Sequence, residues 1–155
     1  MFRDLGVGTQ LATFKACSSP AGALATLTPD YFLAAQTPKA AIHTYAWHQE
    51  ALIQRCFVAE PLLCLAANPA GTVVVGGGGS GTIYMWIVAS GRLVGTVKAH
   101  TRGVTRLRFS DGSGAEVFSG GQDGLVIAWS VTALGDIVPG GGQPRWTGYV
   151  TPFSP

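Results

Sequence analysis

Three residues of this chain, His100, Ser119 and Asp123, are the types that make up a nucleophilic triad. In such a triad an imidazole held by a carboxylate takes the serine proton, and the hydroxyl oxygen attacks an acyl carbon. Ser119, however, sits in Phe118-Ser119-Gly120-Gly121 and not in a G-x-S-x-G elbow, and no oxyanion-binding group can be argued beside it. A second pattern, Gly76-x-Gly78-x-x-Gly81 after Val73-Val74-Val75, has the spelling of a dinucleotide-binding turn. That chemistry needs a helix N-terminus under the pyrophosphate, and about 20 residues later an acid for the ribose. The glycines lead instead into Thr82-Ile83-Tyr84-Met85-Trp86-Ile87-Val88, rich in strand formers, and then Lys98-Ala99-His100-Thr101-Arg102. The Gly-Lys-Ser/Thr of a phosphate loop is missing as well, so the glycines are expected to turn the chain between two strands, with no cofactor. His43, His48 and Cys56 match no zinc-ligand spacing, and the alternation around His43 reads as a strand.

The elements that carry these residues are short. Of 155 residues, 47% are hydrophobic and 12% charged, which describes a folded chain of one modest domain. The 22 glycines and 9 prolines punctuate apolar runs throughout, and no stretch of helical length shows a 3.6-residue period. An all-β fold is expected. No apolar run approaches the roughly 20 residues of a membrane-spanning helix, and MFRDLGVGTQ has no signal-peptide core, so a soluble intracellular protein is expected, without a membrane partner. Cys17, Cys56 and Cys64 form an odd set without a C-x-x-C pair, as suits a reducing compartment.

Sliding the chain against itself exposes a repeat. TVVVGGGGSGTIYMWIV lies over AEVFSGGQDGLVIAWSV, so that Trp86 meets Trp129, and a weaker copy about 41 residues earlier places Tyr45 under Trp86. The spacing of about 41 to 43 residues matches the WD repeat, four strands to a propeller blade. In the third copy His100, Ser119, Asp123 and Trp129 match the bonded set that ties such a blade together, pairing carboxylate, imidazole, hydroxyl and indole so that no buried polar group is left over. The second copy has Gly76 and Ser80 at the serine and aspartate positions. The first has Ala35 and Lys39. Those two copies are therefore expected to rely on packing around their aromatic positions, Trp86 and Tyr45.

Four strands per repeat put blade one at about residues 22 to 59, blade two at 60 to 99 and blade three at 100 to 151, with a tail at 152 to 155. Residues 1 to 21 form an N-terminal segment in which QLATFKA reads as a separate strand, of the kind that completes the last blade of a closed ring. RWTGYVT reads as the outer strand of blade three.

The segments QLATFKA, DYFLAAQTPKAAIHTY, LLCLAANPAGTVVVGG, TIYMWIVASGRLV and FSGGQDGLVIAWSV, in this order, resemble one family over roughly Gln10 to Val131. It is the WD-repeat subunit of the nuclear complex that matures the large ribosomal subunit, called WD-repeat-containing protein eighteen in animals and Ipi-three in yeast. The resemblance implies a β-propeller of seven blades, which needs about 280 to 315 residues. About three four-stranded blades are present here, an open arc with an unpaired edge and an exposed blade face, from a truncated product or a fragment. It also implies a non-enzymatic scaffold in the nucleus, active in rRNA processing at the second internal transcribed spacer. Its partners would be the helical-repeat subunit of the Rix-type complex and pre-60S particles, with no small-molecule substrate. A generic WD-repeat adaptor in ubiquitin ligation or signalling is the alternative, and a serine hydrolase built on Ser119, His100 and Asp123 is a third reading. Arg92, Lys98, Arg102, Arg106 and Arg108 are the one local basic cluster, open to reading as an rRNA contact or as ordinary solvated charge.

Overall fold

Apolar runs bounded by turn residues become strands wherever both faces can be covered. The computed structural model describes residues 2–3, 6–14, 17–20, 22–112, 116–132 and 145–152. A short pair, β1 (Phe2–Arg3) and β2 (Gln10–Ala12), precedes three four-stranded antiparallel sheets. The first sheet contains β3 (Leu24–Thr28), β4 (Tyr31–Gln36), β5 (Ala41–Ala46) and β6 (Ala51–Phe57), with one 3-10 turn at Trp47–Gln49 between β5 and β6. The second contains β7 (Leu62–Ala67), β8 (Val73–Gly78), β9 (Thr82–Ile87) and β10 (Arg92–Lys98). The third contains β11 (Val104–Phe109), β12 (Glu116–Gly121), β13 (Leu125–Thr132) and β14 (Arg145–Pro152). Each sheet is a meander in which strands pair in chain order.

The sheets stack face to face, and the core lies between them. Leu33, Ala35 and Ile42 of the first sheet meet Leu65, Val74, Tyr84 and Trp86 of the second. The second sheet's other face, with Cys64, Val75, Ile83 and Met85, meets Leu107, Val117, Ile127 and Trp129 of the third. Trp86, Ile83 and Met85 are almost completely buried, each worth roughly 1.5–3 kcal/mol of transfer free energy. The opening strands β3, β7 and β11 touch across sheets, so they lie innermost and the fourth strands outermost. The result is an arc of three propeller blades. Its upper end carries the β4–β5, β8–β9 and β12–β13 turns, and its lower end the β3–β4, β7–β8 and β11–β12 connections.

Three sequence expectations need correction. The glycine run is mostly strand: Gly76, Gly77 and Gly78 belong to β8, and only residues 79–81 form the turn. Gly77 is required by close packing, since a Cβ there would lie 2.6 Å from the Val104 side chain of the next sheet. Gly81 is required by its backbone, with φ at +88°. Secondly, among the described residues of QLATFKA the strand covers Gln10–Ala12, and it pairs with Phe2–Arg3. The chain leaves it so that Phe14 can pack on the first sheet, 5.1 Å from the stacked rings of Phe32 and Tyr45. Thirdly, register puts Ala34, not Ala35, at the serine position of the first sheet: Phe32 pairs with Tyr45 as Val74 pairs with Trp86 and Val117 with Trp129. The β4–β5 turn, residues 37–40, is one residue longer than the turn at 79–81, which shifts β4 but not β5 in the alignment.

Candidate functional site

Antiparallel pairing in the third sheet brings together residues that are up to 29 positions apart in the chain. Ser119 sits mid-strand on β12, Trp129 two pairs along β13, Asp123 in the turn between them, and His100 on the segment that leads into β11. His100 Nδ1 lies 3.0 Å from Asp123 Oδ1, and its Nε2 2.9 Å from Ser119 Oγ. The Trp129 indole N–H donates to the same Oγ at 2.9 Å. With the carboxylate as acceptor, Nδ1 carries the ring proton, Nε2 accepts the serine hydroxyl, and the hydroxyl oxygen accepts the indole. Asp123 also accepts from the backbone N–H groups of Thr101, at 3.0 Å, and Leu125, at 3.2 Å. Burial pushes its carboxyl up, but these N–H donors and His100 outweigh it and hold the group below its usual value.

The same geometry bears on the triad reading. Ser119 is fully buried, and its oxygen already receives the Trp129 N–H, so an acyl group has no path to it in this conformation. The four side chains pin the loop before β11 to the β12–β13 turn and to the strands on either side of that turn.

The second sheet has a polar knot at the corresponding place, which the sequence comparison missed. Glu60, in the link before β7, accepts from the Ser80 N–H at 2.9 Å, from the Ser80 hydroxyl, and from the Tyr84 hydroxyl at 2.9 Å. Lys98 Nζ donates to the Ser80 carbonyl and adds its charge nearby. Burial raises the Glu60 carboxyl, yet the Ser80 hydroxyl and N–H, the Tyr84 hydroxyl and Lys98 together depress it. Tyr84 is raised, first by burial and then by its bond to Glu60. Gly78 makes room for the carboxylate, because a Cβ there would collide with Glu60. Packing alone therefore does not hold this sheet, contrary to the expectation for the second repeat. The residue was hidden because the repeat register places Phe57, not Glu60, opposite His100. One signal was present: Glu60 is the sole carboxylate between Glu50 and Asp111 in the sequence.

In the first sheet the link before β3 is tied by a neutral group. Gln36 Oε1 accepts from the Ser18 N–H at 3.1 Å, and the Thr37 N–H donates to the Ser18 carbonyl at 2.7 Å. Tyr45 occupies the aromatic position, 3% exposed, with its hydroxyl 3.0 Å from His43 Nδ1. Burial, followed by Cys17, pushes the Tyr45 hydroxyl up to about 12, and burial pushes His43 down.

The remaining candidates separate. His43 faces Tyr45, His48 pairs with Asp30 at 3.1 Å, and Cys56 packs toward the second sheet, so the three do not converge. The five basic residues divide between the two ends of the arc. Lys98, Arg102 and Arg106 lie toward the upper end, Arg92 begins β10 at the lower end, and Arg108 pairs there with Asp111 at 3.7 Å.

The WD domain, G-beta repeat family profile matches residues 42–86 and 91–130. The chain belongs to that family. Its WD repeats in sequence are offset from its sheets: residues 91–130 run from the outer strand β10 of one blade through β11 to β13 of the next. Each repeat thus interlocks two blades. Among relatives, Protein ROOT INITIATION DEFECTIVE 3 of Arabidopsis thaliana is 39% identical over 86% of this chain and 31% of its own length. Pre-rRNA-processing protein IPI3 of Yarrowia lipolytica is 40% identical over 64% of this chain and 23% of its own. WD repeat-containing protein 18 of Bos taurus is 34% identical over 84% and 30%. These matches uphold the resemblance to the animal eighteen and yeast Ipi-three family. The chain spans about a quarter to a third of the length of these relatives. A solved structure, "Structure of U3-55K", superposes with a TM-score of 0.64 at 21% identity over 70% of this chain and 35% of that one, a likeness of fold.

Proposed function

We propose that this WD-repeat chain is a non-enzymatic scaffold in the maturation of the large ribosomal subunit, acting in the nucleus or nucleolus. The observation that carries the reading is the similarity of most of the chain to proteins named for pre-rRNA processing. The site chemistry agrees with it, since the one triad-like set is consumed in internal hydrogen bonds and Ser119 is inaccessible. The His100, Ser119, Asp123 and Trp129 set serves stability, and Tyr45, Trp86 and Trp129 anchor successive blades. The partner is a protein of the helical-repeat type within a Rix-type complex, and through it the pre-60S particle. Affinity purification of the tagged chain from nuclear extract tests the proposal. Large-subunit assembly factors are expected in the eluate. Recovery of ubiquitin-ligase subunits instead would favour the adaptor alternative, and labelling of Ser119 by a serine-reactive phosphonate would restore the hydrolase reading.

A further inference from the structure

The charged side chains of the arc are sorted by end. Toward the upper end stand Lys39 in the β4–β5 turn, Arg55 in the upper half of β6, Lys98 at the close of β10, Arg102 before β11 and Arg106 early in β11. Among the described residues the two carboxylates of that end, Glu60 and Asp123, are both occupied by internal donors. Arg102 and Arg106 form no ion pair among the described residues. Arg106 Nη1 turns inward, 3.5 Å from where a Cβ on Gly22 would stand, so its charge lies over the inner strands. The lower end has the opposite balance: Asp30, Glu50, Asp111 and Glu116 gather there, against Arg92 and an Arg108 paired with Asp111.

The upper end also exposes apolar surface. Phe57, the last residue of β6, is 83% exposed, and Leu63, at the top of β7, is 36% exposed beside Gly103. Cations flanking isolated apolar side chains complement a segment in which acidic and apolar residues alternate. We infer that the upper end of the arc, through Arg102, Arg106, Lys39 and the exposed Phe57 and Leu63, docks an acidic, apolar-studded segment of a protein partner.

Magnitudes favour a protein over RNA. A nucleic-acid site typically neutralises about 6 to 10 phosphates. Among the described residues only five cations share the end, Lys39, Arg55, Lys98, Arg102 and Arg106, and Lys98 is already bonded to Ser80. A protein segment places carboxylates singly and brings side chains for Phe57 and Leu63.

This inference rests on the protein-scaffold reading and names the partner chemistry for it. The test is fluorescence anisotropy at low and physiological salt with two probes, a fluorescein-labelled peptide of repeating Asp-Leu-Glu and a labelled oligouridylate of similar length. The paired variant Arg102→Glu with Arg106→Glu is expected to weaken peptide binding about tenfold or more, a change of about 1.4 kcal/mol. The lower-end pair Arg92→Glu with Arg108→Glu is expected to change it less than about twofold. Circular dichroism melts of both variants separate lost binding from lost folding. Equal losses from the two pairs, absence of peptide binding by the parent chain, or tighter binding of the oligouridylate would each overturn the inference. Failure of the nuclear copurification would instead strike the function and leave these charge-reversal results standing.

Discussion

The second and third sheets fasten the same joint with opposite chemistry. In the third, the link before the sheet supplies an imidazole, His100, and the turn supplies the carboxylate, Asp123. In the second, the link supplies the carboxylate, Glu60, and the turn supplies the donor, Ser80. Both joints close the gap between an incoming strand and the β-turn above it, and in both the carboxylate is held in its charged form by hydrogen-bond donors, led by the Ser80 hydroxyl for Glu60 and by backbone N–H groups for Asp123. The difference reaches the strands. Ser119 on β12 relays the third joint to the Trp129 indole, whereas Gly76 stands at that register in β8, with Leu62, Leu65 and the Trp86 ring closing over it. A joint of this kind constrains where charge and donors meet, and leaves open which segment carries which.

The contrast can be broken first at Ser119. Ser119→Ala removes the hydroxyl that bonds both His100 Nε2 and the Trp129 N–H in a fully buried site, and each lost bond costs roughly 1–3 kcal/mol. A loss of about 2 to 4 kcal/mol in urea unfolding is expected. A loss within about 0.5 kcal/mol, the scale of a neutral surface change, would mean that water or a rearranged ring satisfies both groups.

Glu60→Gln is the next largest. It keeps the shape but removes the charge that accepts from Ser80 and Tyr84, and a cost of about 1 to 1.5 kcal/mol is expected because the site is only half-buried. Ser80→Ala should cost less, about 0.5 to 1 kcal/mol, since its backbone N–H still reaches Glu60. If Glu60→Gln is silent while Ser119→Ala is not, the second sheet depends on packing after all.

Acid sharpens the comparison further. Both carboxyls are depressed in the fold, so the stability they add is complete above their ordinary values and is lost as pH falls through the folded values. The ordinary values are 4.5 for Glu60 and 3.8 for Asp123, so the loss begins below about pH 4.5 and deepens below about 3.8. Glu60→Gln should flatten the upper part of that decline and Asp123→Asn the lower part, as followed by thermal melts across pH 2.5 to 6. An unchanged profile in both variants would show that neither carboxylate is linked to unfolding.

The third joint was legible in the sequence because Ser119 and Trp129 fall at fixed strand registers, with Asp123 in the tight turn between their strands and His100 in the link before β11, and those offsets survive in a repeat. Glu60 was not, because it lies in a link whose length differs from that before β11, so the repeat alignment passes over it. A turn longer by one residue likewise left Tyr45 correctly under Trp86 while sliding β4 by one position. Arg92 to Arg108 read as one cluster because sequence distance ignores strand direction. A six-residue strand spans about 20 Å, enough to carry neighbours in the chain to opposite ends of the arc. The glycine run was legible as a turn between two strands, but not as the packed end of β8, since close approach to Val104 and Glu60 is a tertiary property.

The claim that Glu60 and Ser80 form a joint equivalent to that of His100 and Asp123 is tested most directly by a double-mutant cycle in urea. The measured quantities are the costs of Glu60→Gln, Ser80→Ala and the pair. Removing one partner should make removal of the other cheaper, so the pair is expected to cost less than the sum by about 0.5 to 1 kcal/mol. Costs that add to within about 0.3 kcal/mol would contradict the account, because they would mean that Glu60 and Ser80 contribute independently and that the second sheet has no such joint.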